Sequence, residues 1–193
     1  MTIPNGFYTI RNVATGAFLG VEGSSTATGA ALVTGVDTGG NDQVFAVSTE
    51  GGYTALLPSH TADSGYVAGL GREQTFSDGR GGFFVVSGDY QSPDQADASR
   101  WVIVDGDGSL LVNGVSYPAY FLRSANEDGQ LLYLADQALH DTHGCVACEA
   151  FFDATSSTTT TPHQQWAFVQ AVPHDPNLPV PYLGSASPEQ PGA

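Results

Sequence analysis

A chain of 193 residues with 41% apolar content is long enough to bury one substantial core, while only 13% of it is charged, against about 25% in an average globular protein. Its net charge of −15 sets 20 acidic residues against five arginines and no lysine. That balance excludes partners held mainly through phosphate contacts, which need clustered Lys and Arg to displace counterions, so neither nucleic acid nor an anionic membrane surface is expected.

The first residues, Met1 to Tyr8, carry neither a basic n-region nor an apolar h-region. No apolar run approaches the roughly 18 to 20 residues of a membrane helix. Two cysteines do not make a disulfide scaffold, and no Asn-x-Ser/Thr acceptor occurs. The expected compartment is the cytosol, with non-classical release left open.

Taken in chain order, the apolar segments are short, rich in β-branched and aromatic residues, and bounded by glycine and Asn/Asp turns, which is the pattern of strands. Four are expected at 7–12, 17–21, 31–36 and 44–48. Four more fall at 53–57, 65–70, 83–87 and 101–104, and a last four at 119–124, 131–135, 149–152 and 166–169. No window shows a helical apolar stripe, and the 24 glycines and 11 prolines oppose helix throughout.

The twelve strands fall into three similar units. Each closes on a polar approach, one large aromatic and a short apolar run: Asp42-Gln43-Val44-Phe45, Ala98-Ser99-Arg100-Trp101 and His163-Gln164-Gln165-Trp166. A second echo links Tyr8-Thr-Ile-Arg-Asn12 and Gly16-Ala-Phe-Leu19 to Tyr120-Phe-Leu-Arg-Ser124 and Gly129-Gln-Leu-Leu132. Repetition at this spacing indicates one unit used three times. Short strands from three units lose their sheet edges only by pairing around a barrel, and Phe45, Trp101 and Trp166 are expected in its shared core.

Three regions depart from the repeat: a polar insertion at Gly88–Asp97, a long excursion from Asp136 to Gln165, and a tail after Val172 that holds six of the eleven prolines. The expected organisation is a domain over 1–172, with units at about 5–50, 51–108 and 109–172, followed by an extended tail at 173–193.

Four-stranded units repeated three times with Gln-x-Trp closures resemble the β-trefoil of the ricin B-type lectins, and the opening Gly6 to Leu19 is similar to the first unit of the fungal members. Gln164-Gln165-Trp166 is a full match, Gln43-Val44-Phe45 a conservative one, and Ser99-Arg100-Trp101 keeps the ring but loses the glutamine. The resemblance implies an all-β fold of three pseudo-symmetric lobes and non-catalytic binding of glycans or glycoproteins. It covers about residues 5 to 172.

The resemblance also implies where sugar would sit: a carboxylate just after the second strand of a lobe accepts bonds from adjacent hydroxyls, and an amide stands just before the closing aromatic. The first lobe offers Glu22, where the family uses Asp, with Asn41, Asp42 and Gln43. It shows no aromatic between Glu22 and Asn41 for stacking. The third lobe offers Asp136, His163 and Gln164, and strand alternation turns one of Phe151 and Phe152 outward, with Phe152 taken as the stacking ring. The third lobe is therefore expected to be the better pocket. In the second lobe no carboxylate follows until Glu73, and that lobe is expected to be silent. The same residues have an architectural reading, in which Gln43 and Gln164 bond backbone at the closure and Glu22 and Asp136 are turn residues.

The same trefoil serves mushroom protease inhibitors similar to the mycocypins, which act through a protruding loop. An inhibitor is therefore the second expectation, with Gly88–Asp97 or the Asp136–Gln165 excursion as the loop. Fold alone does not choose between the two. A homodimer is left open.

His140, His143, Cys145 and Cys148 form a compact cluster. Cys2His2 suits tetrahedral zinc, yet wrapping four ligands from one short loop is sterically demanding. A local Cys145–Cys148 disulfide and free thiols beside solvent-facing histidines stay open, and no cofactor is expected. With no nucleophile elbow, phosphate-cradling loop or metalloprotease helix in the sequence, no enzyme is expected either.

Overall fold

The computed structural model describes residues 3–27, 30–64, 67–75, 81–86, 100–124, 133–136, 148–152 and 162–172. Twelve strands run through them: β1 (Gly6–Asn12), β2 (Phe18–Val21), β3 (Leu32–Gly35), β4 (Val44–Glu50), β5 (Tyr53–Pro58), β6 (Val67–Thr75), β7 (Gly81–Val86), β8 (Trp101–Val112), β9 (Val115–Ser124), β10 (Leu134–Asp136), β11 (Cys148–Phe152) and β12 (Gln165–Gln170). The Gly88–Asp97 insertion and the proline-rich tail lie outside the described residues.

In β1 the side chains of Tyr8, Ile10 and Asn12 are buried while those between them are only half-buried, the alternation a pleated strand imposes when one face meets a core. Beyond Asn12 the chain turns sharply. The Asn12 Oδ1 accepts the Ala14 N–H at 2.9 Å and the Thr15 N–H at 3.2 Å, and its Nδ2 donates to the His163 carbonyl at 2.7 Å. One buried amide thus shapes the turn into β2 and ties it to the far end of the chain.

Every strand pairing among the described residues is antiparallel, and six strands close on themselves. β1 pairs with β4, β4 with β5, β5 with β8, β8 with β9, β9 with β12, and β12 returns to β1 over Tyr8↔Gln170 to Asn12↔Trp166. These are the first and last strands of each repeated unit. The remaining strands form the hairpins β2–β3, β6–β7 and β10–β11, which meet where β11 pairs with both β3 and β7. A six-stranded ring carrying three hairpins is the β-trefoil expected from the repeats.

The ring is filled in sets. Phe45, Trp101 and Trp166 are fully buried in one cluster, as their closing positions require, together with Ile10, Leu56 and Leu122 from the first strands of the units. Fully burying a side chain of this kind is worth about 1.5–3 kcal/mol. Trp166 also donates its indole N–H to the Leu134 carbonyl at 2.9 Å, fixing β10 to the closing strand. Two residues before Ile10 and Leu122 stand Tyr8 and Tyr120, both packed edge-on against Phe168 with centroids 5.9 Å apart. The same offset from Leu56 gives Thr54, which shares a hydrogen bond with Thr49, so the middle unit replaces a ring by a hydroxyl.

Two strands run much longer than their sequence suggests. β8 continues to Val112 and β9 begins at Val115, whereas turn-forming Asp105-Gly-Asp-Gly108 reads as the end of a strand at 104. The chain instead carries an irregular register between Asp105 and Ser109, then resumes pairing to a two-residue turn at Asn113–Gly114. The expected lobe boundary at 108/109 falls inside β8.

Burial raises the phenol of Tyr8 above its ordinary pKa of 10.0, with neighbouring Tyr120 adding to the effect, and burial followed by the Asp105 carboxylate does the same for Tyr120. A phenol raised in the fold contributes stability that is complete below the unfolded value and is lost as pH rises through the folded one. Melting temperature should therefore hold up to about pH 10 and fall above it. Tyr8→Phe should flatten that alkaline decline in a series of thermal melts.

Candidate functional site

The first lobe carries an open cleft of about 250 Å³ between the β2–β3 hairpin and the 3-10 turn Asn41–Gln43. Phe18, Gly20 and Val21 line it from β2, Val33, Thr34 and Gly35 from β3, and Asp42 and Gln43 from the closing turn. Gly20 keeps the floor low, since a Cβ there would stand 3.0 Å from the Gln43 Cγ. Val36, 67% exposed, supplies an apolar rim.

Asp42 lines this cleft. It is half-buried, and its carboxylate makes no hydrogen bond to another described residue. Gln43 lies beside it, but its amide is committed to the lobe closure. Its Nε2 donates to the Val36 carbonyl at 2.7 Å, and its Oε1 accepts from the Thr38 N–H at 2.8 Å and hydroxyl at 3.0 Å. Gln43 thus follows the architectural reading and shapes the 36–38 wall.

Glu22 does not line the cleft. It is exposed in the 3-10 turn Glu22–Ser24, where its backbone N–H bonds the Ala31 carbonyl, while its neighbours Gly23 and Ser24 face the cavity. Asn41 is half-buried at the start of the closing turn and is not among the lining residues. The sequence offers no aromatic between Glu22 and Asn41, but an upstream one, Phe18 at the start of β2, forms part of the wall. Arg11, its partner across β1 and β2, lays its guanidinium over that ring at 4.3 Å and holds it in place.

The third lobe is built differently from its expectation. Asp136 is 0% exposed. Its Oδ2 accepts from the Thr15 hydroxyl at 2.6 Å and its Oδ1 from the Thr34 hydroxyl at 2.8 Å, so the carboxylate joins β10 to the first lobe and does not face solvent. A buried carboxylate is stable only when its lone pairs are met in this way. Gln164 is likewise fully buried, and His163 is half-buried with its carbonyl accepting from Asn12. Phe152 pairs with Leu134 in the β10–β11 hairpin. The geometry therefore favours the first lobe over the third.

His140, His143 and Cys145 lie outside the described residues, while Cys148 begins β11 opposite Thr34. Among the described residues no three His, Cys, Asp or Glu side chains gather as a metal site. Gln165, passed over by the sequence as the variable member of Gln-x-Trp, is buried and active: it accepts from the Gly108 N–H at 2.9 Å and donates to Asp107 Oδ1 at 2.7 Å.

Residues 2–80 match a family model described as ricin-type beta-trefoil lectin domain-like, which is less than half of the chain. No curated protein is significantly similar in sequence. Among solved structures, a designed 3-fold symmetric protein, ThreeFoil, is 22% identical at a TM-score of 0.60, over 86% of this chain and 100% of its own. The Rhizoctonia solani agglutinin is 19% identical at a TM-score of 0.60, covering 89% and 99%. A Macrolepiota procera ricin B-like lectin, solved in complex with lactose, is 17% identical at a TM-score of 0.57, covering 89% and 100%. At these identities the likeness establishes the fold, a β-trefoil.

Removing the Asp136 carboxylate would break both hydroxyl bonds that join β10 to the first lobe. Asp136→Ala should cost about 1–3 kcal/mol of stability in urea unfolding. Asp136→Asn should cost less, because a threonine hydroxyl can rotate to accept from the new amide.

Proposed function

We propose that the protein binds carbohydrate without catalysis, through the first-lobe cleft. The observation that carries this reading is an uncommitted carboxylate, Asp42, placed in an open cleft beside an aromatic ring and an exposed valine. Two carboxylate oxygens accept hydrogen bonds from neighbouring hydroxyls of one sugar ring, while Phe18 and Val36 meet its C–H surface. At about 250 Å³ the cleft falls just short of the roughly 300–1,000 Å³ of sites for drug-sized ligands, which suits one terminal sugar.

A net charge of −15 and a carboxylate at the site disfavour sialylated or sulfated ends, so neutral sugars are the ligand class. The family match over residues 2–80 includes the whole of this lobe, and the lactose complex of the Macrolepiota procera lectin supports the same use of the fold. In this reading the carboxylate comes from the closing turn, at Asp42, and not from the position after the second strand, at Glu22. The loops on which an inhibitor reading rests, Gly88–Asp97 and most of the Asp136–Gln165 excursion, lie outside the described residues.

A glycan array run beside inhibition assays of papain-like and trypsin-like proteases tests the reading. Binding to neutral glycans with no inhibition is expected, and inhibition with an empty array would replace the lectin by an inhibitor. In titration calorimetry, Asp42→Ala should weaken sugar binding at least about tenfold, the loss of roughly one charge-assisted hydrogen bond. Glu22→Ala should leave it unchanged, and both variants should melt like the parent.

A further inference from the structure

The β8–β9 hairpin reaches well beyond the ring. β8 is held by β5 only at Thr54↔Trp101, and β9 by β12 only over Phe121 to Ala119, so the segment from Ser109 to Pro118 is a free-standing arm among the described strands. Two of its apolar side chains are open to solvent on opposite faces, Leu111 at 70% and Val115 at 53% exposed.

The arm is fixed at its base. Where the register slips between Asp105 and Ser109, the buried Gln165 amide spans the irregularity, bonding the Gly108 N–H and the Asp107 carboxylate. The space there is tight: a Cβ on Gly106 would stand 2.9 Å from the Ala119 carbonyl oxygen, and one on Gly108 would displace the Gln165 Oε1 at 2.8 Å. A side chain from the closing strand of the third lobe thus sets the direction in which the arm leaves the ring.

The two edges of the arm are unequal. The turn at Asn113–Gly114 makes Val112↔Val115 the closing hydrogen-bonded pair, and the alternation of antiparallel pairs then points the backbone groups of Ser109, Leu111, Ser116 and Pro118 outward. On β9 the outward position of Pro118 has no N–H to offer, the usual way an edge is blunted. On β8 the N–H and carbonyl groups of Ser109 and Leu111 are intact.

Charge selects the occupant. No charged residue lies between Asp107 and Arg123, in a chain whose net charge of −15 makes its copies repel one another at long range. A cationic partner would be met by carboxylates, and none is present on the arm. The arm is a surface where a second copy approaches without paired carboxylates.

We propose that the β8–β9 arm is a self-association surface, in which the free β8 edges of two copies pair antiparallel about a twofold axis to form a four-stranded sheet. Such a contact is isologous, the same strand serving on both sides. Leu111 of each copy packs near the axis. Because long-range repulsion opposes the contact, added salt strengthens it, the reverse of an association driven by opposite charges.

Sedimentation equilibrium of the full chain tests this, alongside flotation with uncharged phosphatidylcholine vesicles. The average mass should rise from the 20.0 kDa monomer towards the dimer with concentration, and the dissociation constant should fall severalfold as sodium chloride is raised. Leu111→Asp should weaken the dimer at least about a hundredfold, since it sets two carboxylates side by side at the axis. Leu111→Ser should weaken it about tenfold, and both should keep the parent's melting temperature because the side chain is exposed. A monomer at every concentration and salt would overturn the proposal. So would a dimer indifferent to both variants, or a monomer that floats with the vesicles only while Leu111 is present.

Discussion

Three large rings, Phe45, Trp101 and Trp166, must share one interior, and most of the remaining structure serves that packing. A ring of six strands has just enough room for such a set when each ring enters from an equivalent strand, so the chain repeats a unit and does not improvise one. The polar residues before each aromatic then have to close the lobe over it. Gln43 does so by gathering the 36–38 backbone, and Gln165 by gripping the base of the β8–β9 arm. In the middle unit Arg100 stands where Gln165 does, and its guanidinium instead lies over the Tyr53 ring at 5.4 Å.

The fold was readable because its cause is local and repeated. Each strand announces itself by a short β-branched or aromatic run between turns, and each closure by its aromatic, whatever the rest of the molecule does. The site was less readable because it depends on where side chains point. A carboxylate after a short strand reads alike whether the loop leaves it in solvent or folds it inward. Asp136 is inward because Thr15 and Thr34, more than a hundred residues earlier, supply its partners. Phe18 escaped notice because it belongs to a strand and not to the loop where a stacking ring is sought. The length of β8 was hidden for the same reason, since the glycines and aspartates of 105–108 read as a turn unless Gln165 is known to hold them.

The three units resemble one another more in their interior than on their surface. Ile10, Leu56 and Leu122 remain interchangeable in the interior. Among the described residues the surface features belong to particular lobes: a cleft on the first, and an arm joining the second to the third. Were two copies to pair through the arm, each would bring one cleft, and a ligand displayed in many copies would be held by both at once. Linked weak sites then gain affinity without any new contact to the ligand.

The seam between β1 and β12 has a consequence for how the molecule comes into being. Thr9 reaches Val169 across 160 residues of intervening chain, so one edge of the first strand stays bare until the last strand exists. Loop closure over that span is slow, and contacts within each unit form well before it. The first unit, whose cleft walls lie between Phe18 and Gln43, therefore assembles early on a ribosome while its neighbouring edge waits for a distant strand. That exposed edge leaves the unfinished chain open to pairing with other chains. Once shut, the six-stranded ring has no free edge of its own from which to unravel.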